Sequence, residues 1–230
     1  MKTVFFVLSF VVAAAAMVAT HISWISPQCR RNYLPIKMVC SCGFLLTGLF
    51  AAAATGFARY GLLILAALFC GLCGDFFLEW KQAKYFYAGV VCFAIGHGLY
   101  IYNFLTAEVK SKPTLRFFLI TFAILLALNI VSMQLEKIKF KGFQNVMMAY
   151  AALLLVMVTV AIWRCYADYV ADAHRLRGLL TAIGAILFLV SDTFLAAQLY
   201  GKSHSKHPEA WVLYTYFPAQ TLIALGILFA

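Results

Sequence analysis

Long apolar runs broken by short polar segments dominate the chain. Charge-free stretches cover Thr3–Cys29, Met38–Ala58, Tyr85–Ala107, Phe117–Leu135, Gly142–Trp163 and Ala210–Ala230. Each supplies the roughly 20 apolar residues that an α-helix needs to cross a bilayer core. Two more stretches, Tyr60–Leu78 and Gly178–Tyr200, can span only if one acid is admitted in each, Asp75 and Asp192. None of the runs has the alternation of a membrane-barrel strand. The pattern predicts an all-α, polytopic transmembrane helical bundle forming one integral-membrane domain. Its eight spans fall at about 4–25, 38–55, 60–79, 85–106, 115–134, 143–163, 177–199 and 211–229.

The first run begins like a secretory signal peptide, with Lys2 and the Ala13–Ala16 cluster. It continues apolar through Ile25, which is long for a signal sequence, so a retained helix is expected. The connections are short. Thr55–Tyr60, with Gly56 and Gly61, reads as a tight hairpin, and Gly201–Glu209, with His204 and His207, is the longest polar connection. Pro27, Pro35, Pro113 and Pro208 mark loops or helix starts, whereas Pro218 falls inside the last span and should kink it.

Composition narrows the class further. Hydrophobic residues make up 65% of the chain and charged residues 11%, against about 25% charged in soluble domains. That excludes a soluble globular protein, and disorder needs the opposite balance. The net charge of +10 sits in short loops such as Arg30/Arg31, Lys137/Lys139/Lys141 and Arg175/Arg177. There it anchors topology, and no nucleic-acid partner is expected. The side carrying both termini holds eight Lys/Arg and the other side ten, a lean towards termini outside. Cys40, Cys42, Cys70, Cys73 and Cys92 lie in spans as small hydrophobes. Cys70 and Cys73 form a C-x-x-C without a second pair, so no metal or other cofactor is expected.

An ionisable residue inside a membrane helix is costly and marks function. Glu108, Glu136, Asp168, Asp172 and Glu209 fall in loops or at helix ends, and Glu79 closes the third span beside Trp80 and Lys81. Only Asp75 and Asp192 lie well inside spans, and no Lys or Arg is expected there with them. Both sit near the C-terminal ends of odd-numbered helices, about 7–12 Å from one membrane face at 1.5 Å rise per residue. The fourth and eighth helices start at that face. They bring His97 and Tyr100 (i, i+3), Tyr214, and Tyr216 and Gln220 (i, i+4) towards the same layer. Glu79 is one turn beyond Asp75. Ser191 precedes Asp192, but helix neighbours point about 100° apart, so the two are no nucleophile–base pair. Gly71, Gly74, Gly96 and Gly98 allow either close helix packing or room for a lipid chain. G-x-S-x-G, H-E-x-x-H and P-loop motifs are absent. A zinc hydrolase would need several deep His, and only His97 is deep.

The blocks GDFFLE (74–79), FAIGHGLYIYNF (93–104), FLVSDTFL (188–195) and YTYFPAQTLI (214–223) follow one another at the right spans. In this they resemble the lysoplasmalogenase (YhhN-like) family of eight-helix membrane proteins. The resemblance covers the chain from about Leu65 onward. It implies hydrolysis of the vinyl ether bond of lysoplasmalogens, with choline or ethanolamine headgroups, to a fatty aldehyde and the glycerophospho-alcohol. It also implies that Asp75 and Asp192 are the catalytic pair, with His97, Tyr100, Tyr216, Gln220, Glu79 and Ser191 around the substrate. The His204/His207 connection lies outside the family's pattern.

The chemistry suits these residues on its own terms. Cleavage of a vinyl ether begins with proton transfer to carbon and passes through an oxocarbenium-like cation, to which water adds. It needs one carboxyl that carries a proton and one that stabilises positive charge, a division made by different surroundings. Carboxyls withdrawn from water and close to one another can be divided in this way. Intramembrane acids also serve proton relays, so a proton-coupled or lipid transporter is the alternative, and a non-catalytic lipid sensor a third. The expected partners are a lysophospholipid substrate and membrane lipids, with a homodimer allowed. The expected address, for a eukaryotic chain, is the endoplasmic reticulum membrane.

Overall fold

A computed structural model describes residues 2–25, 33–80, 82–107, 114–139, 144–201 and 208–230. Eight helices follow in order: α1 Lys2–Ile25, α2 Tyr33–Ala54, α3 Arg59–Leu78, α4 Ala83–Thr106, α5 Leu115–Leu135, α6 Gln144–Val170, α7 Arg175–Tyr200 and α8 Pro208–Leu225. A 3-10 turn, Gly226–Phe229, prolongs α8. All eight helices are long and apolar enough to cross a membrane, and among the described residues there is no strand. This is a multi-pass membrane protein. The choice of helix follows from the solvent, because lipid offers no partner to a backbone N–H or C=O and only a helix satisfies its own. Pro27, Cys29, Arg30, Arg31, Lys81, Glu108, Pro113, Lys141, His204 and His207 lie outside the described residues.

Three helices stop in the same way. After α2, Phe57 N–H donates to Ala52 O (2.7 Å) and Gly56 N–H to Ala53 O (3.2 Å), with Gly56 at φ 74°. This is the paired reverse bond of a Schellman end, which needs a left-handed residue and so favours glycine. It turns α2 into α3 within the hairpin predicted there. After α5 and α6, Lys137 (φ 51°) and Asp172 (φ 52°) take the same place, with Ile138 N–H on Met133 O and Ala173 N–H on Asp168 O. At the start of α5, Thr114 Oγ1 accepts from Phe117 N–H as an N-cap.

The helices pack around α8. It lies against α7, α3, α2 and α1, while α4 bridges α3 and α6. Phe44, Ile64, Leu68, Phe104, Phe188 and Phe217 fill the buried core. α5 rides on the outside along α6 and α7, and none of its described residues is buried. Large apolar side chains such as Leu119, Ile120, Leu128 and Ile183 point outward, as suits a surface solvated by lipid.

Two expectations need correction. The sixth helix does not end at 163 but runs to Val170. The helices also contain cations: Lys37 in α2, Arg164 in α6 and Arg177 in α7, with Arg164 wholly buried. Each is matched by an acid. Arg164 and Arg177 share Asp168, and Lys37 faces Glu79. A charge paired within the protein does not need the water that a helix end would give it.

Candidate active site

Asp75 comes from the last turn of α3, one turn before the helix stops, where the alternating direction of the helices sets it near the starts of α2 and α8. Two hydroxyls there donate to its Oδ2, Ser41 Oγ of α2 at 2.7 Å and Tyr216 OH of α8 at 2.8 Å. Lys37, one turn before Ser41 on α2, holds its Nζ 3.7 Å from Asp75 Oδ1 and donates to Glu79 Oε1 at 2.8 Å. Behind Tyr216, Gln220 Nε2 lies 3.5 Å from the tyrosine hydroxyl, and Tyr100 OH donates to Gln220 Oε1 at 2.8 Å. A chain of polar groups thus runs from Asp75 into the bundle through Tyr216, Gln220 and Tyr100.

Asp192, on α7, belongs to a second chain. Tyr150 OH of α6 donates to Asp192 Oδ2 at 2.6 Å, and His97 Nε2 of α4 stands 3.1 Å from the same hydroxyl. His97 is buried edge-on against Phe188, ring centroids 4.8 Å apart, and its Nδ1 has no hydrogen-bond partner among the described residues. Among the described residues, the tyrosine hydroxyl links the histidine to the carboxyl.

Both chains end at one cavity of about 1040 Å³. Its wall includes Asp75, Asp192, Tyr150, Tyr216, Lys37, Glu79 and Ser191, together with apolar side chains such as Leu78, Val90, Phe93, Met133, Leu154 and Leu189. The wall is built where α2, α4, α6 and α8 begin and α3, α5 and α7 end, so the cavity lies towards one membrane face. α3 and α7 present their acids to it across α8, which packs on both. The cavity therefore offers two carboxyls, hydroxyl donors to each, one ion pair and a long apolar flank.

Of the residues singled out from sequence, Asp75, Asp192, Tyr216, Glu79 and Ser191 line this space. Ser191 spends its hydroxyl on Val212 O at 3.3 Å. His97, Tyr100 and Gln220 stand behind the wall and reach it through the two tyrosines. Tyr214 turns away to His21, whose Nδ1 is 2.7 Å from its hydroxyl. The glycines serve close approach: a Cβ on Gly71 would stand 2.8 Å from Gln220 Nε2, and one on Gly74 2.6 Å from the Phe93 ring. No group of three or more His, Cys, Asp or Glu gathers among the described residues in a way that would hold a metal ion.

Lys37, Ser41 and Tyr150 were missed. A signal existed for each. Lys37 and Ser41 are i, i+4 at the start of the second helix, on one side of an otherwise apolar run. Tyr150 lies in the first turns of the sixth, at the depth that already selected Tyr216 and Gln220. The same layer argument, extended to every even-numbered helix, reaches all three.

Comparison with known proteins identifies relatives of this chain. Over 168 residues, 73% of this chain, it is 31% identical to lysoplasmalogenase TMEM86B of Sus scrofa, covering 64% of that protein. Over 158 residues, 66% of this chain, it is 30% identical to lysoplasmalogenase TMEM86A of Bos taurus, covering 60% of that protein. The aligned part thus spans less than two thirds of these relatives' length. No solved structure gives a significant match. The sequence model of the YhhN family matches residues 35–227, taking in most of α2 as well as the four motif blocks. With six helices and most of α2 inside that match, the chain belongs to the YhhN family.

Proposed function

We propose that the protein hydrolyses the vinyl ether bond of lysoplasmalogens, using Asp75 and Asp192 as its acid–base pair. One observation carries the reading: two carboxyls from different helices face one largely apolar cavity near a membrane face. The names of the two relatives give the substrate class. Such a cavity suits a lysolipid, whose single chain needs an apolar flank while its headgroup stays near water.

The surroundings of the two acids divide the work. Asp75 accepts from two hydroxyls and has an ammonium at 3.7 Å, the partners of an anion. Asp192 has one hydroxyl donor among the described residues, Tyr150. Asp192 therefore gives its proton to the outer carbon of the C=C–O unit, and the double-bond electrons form the new C–H bond. The positive charge left on the inner carbon and oxygen is stabilised by the Asp75 carboxylate. Water adds to that carbon and loses a proton to a carboxylate. The hemiacetal then breaks its C–O bond, releasing aldehyde and returning the glycerol hydroxyl. One water is consumed and both acids end as they began. Tyr150 and Tyr216 fix the carboxyls, and His97 and Gln220 fix the tyrosines.

Aldehyde release by the purified full chain from a 1-alkenyl lysophospholipid tests this, with a 1-acyl lysophospholipid as control. Aldehyde from the alkenyl lipid, lost in folded Asp75→Asn and Asp192→Asn, is the expected result. A folded wild type that releases none overturns it. The location that accompanies this reading, for a eukaryotic chain, is the endoplasmic reticulum membrane, tested by co-localisation of a tagged chain.

A further inference from the structure

We infer that the Lys37–Glu79 ion pair, with the aromatic rim beside it, is a recognition site for a zwitterionic phospho-amine headgroup. The inference rests on the lysophospholipid reading above and adds to it the residues that select the headgroup. The pair lies in the cavity wall rather than at a free surface. Lys37 Nζ and Glu79 Oε1 are 2.8 Å apart, and the two side chains are 13% and 22% exposed. Trp80, next to Glu79 in the chain, lines the same cavity, as do Phe86 and Tyr200, which meet edge to face at 6.4 Å.

A half-buried ion pair at the edge of a cavity binds a zwitterion by exchange. The phosphate replaces Glu79 as the partner of Lys37, and the amine replaces Lys37 as the partner of Glu79. Every charge keeps an opposite neighbour, so no charge is left unpaired in the wall. Faces of Trp, Tyr and Phe attract ammonium groups, quaternary ones included. A lysolipid with a bare phosphate satisfies Lys37 but strands Glu79 beside a second anion, and the site rejects it.

Distance supports the same placement. The phosphorus of a glycerolipid and its sn-1 ether oxygen are five bonds apart, on the order of 6 Å extended, for single bonds near 1.5 Å. Lys37 Nζ is 3.7 Å from Asp75 Oδ1. A phosphate seated on Lys37 therefore brings the enol ether alongside Asp75, with the chain left to the apolar flank. Lys37 and Glu79 are positioning residues and touch no reacting atom.

The test is binding, which does not depend on cleavage. Saturated 1-O-alkyl lysolipids with phosphocholine, phosphoethanolamine and bare phosphate headgroups are titrated against the full chain in detergent, by displacement of a fluorescent lysolipid. Wild type should bind both zwitterions at least about 10-fold more tightly than the bare phosphate. Glu79→Gln should bring that ratio to within about 3-fold, and Lys37→Met should weaken both zwitterions by about 10-fold or more. Lys37→Arg should restore them. If Lys37→Met alone does not fold, Lys37→Met/Glu79→Gln removes both charges of the pair and should lose affinity and discrimination together. Unchanged headgroup ratios in folded Glu79→Gln, or a wild type that does not discriminate, overturn the inference. The expected binding pattern without aldehyde release would instead sink the vinyl ether reading and leave the headgroup site standing.

Discussion

Both ends of the bundle bury charge, and they treat it differently. At one end Asp75 and Asp192 receive hydroxyl bonds and face a cavity. At the other, Arg164, Asp168 and Arg177 close on one another. Asp168 Oδ1 takes Arg177 Nη2 at 2.7 Å and lies 3.0 Å from Arg164 Nη2, while Oδ2 takes Arg177 Nε at 3.1 Å. Arg164 Nη1 also donates to Ala107 O at 2.7 Å, tying the end of α4 into the cluster. The Arg177 guanidinium covers the Tyr60 ring at 5.3 Å. Burial of charge is thus no sign of function by itself. A carboxylate held in a two-pronged grip by arginine has its acceptor sites spent, whereas Asp75 and Asp192 take hydroxyl donors and line a cavity. The first arrangement holds helices together, and the second is available to a substrate.

Five substitutions put that difference to work. The largest loss is expected from Asp75→Asn and Asp192→Asn, each cutting aldehyde release by more than about 10⁴-fold, since the first removes the stabilising charge and the second the proton. Melting curves in detergent should barely move. Retention of even one per cent of activity by either would blur the contrast. Asp168→Asn should do the reverse. It leaves two arginines short of their carboxylate and should destabilise the fold by about 3–5 kcal/mol. Thermal unfolding reads the loss, and activity per folded molecule should hold. Tyr150→Phe removes the hydroxyl that links His97 to Asp192, with an expected fall in kcat of about 10²-fold and little change in KM. A change confined to KM would make Tyr150 a substrate contact instead. The smallest effect belongs to Ser41→Ala. Asp75 keeps Tyr216 and loses one donor, worth up to about 10-fold in kcat/KM.

The cavity end was partly legible in the sequence. Asp75 and Asp192 announce themselves because an acid in an apolar run has no cheap explanation, and chain direction places them in one layer. Tyr216, Gln220 and His97 follow from the same count of turns. Tyr150 did not, because a single tyrosine in an apolar run is an ordinary packing residue until a partner for its hydroxyl is known. Lys37 and Ser41 sit in a helix where the family motifs are silent, and a lysine at a helix start reads as a membrane anchor. The opposite end was hardly legible at all. Asp168 falls within the last turn of a helix, where acids usually reach water, and only the packing of α7 and α4 against α6 buries it. Which helices touch is a long-range fact, and the 3.6-residue period of any one helix does not carry it.

The shared carboxylate of that end bears on how the protein is made. Asp168 belongs to α6 and Arg177 to α7, and only a turn over 171–174 separates the two helices. A helix entering lipid with its own unpaired charge is penalised, by about 2.5–3.5 kcal/mol when the charge lies at the bilayer centre and by less towards its edge. α6 carries Arg164 and Asp168 one turn apart, and α7 brings the second arginine as soon as the turn is synthesised. Arg177 thus meets a carboxylate that α6 already carries, and the two helices enter lipid at lower cost as one hairpin than one at a time.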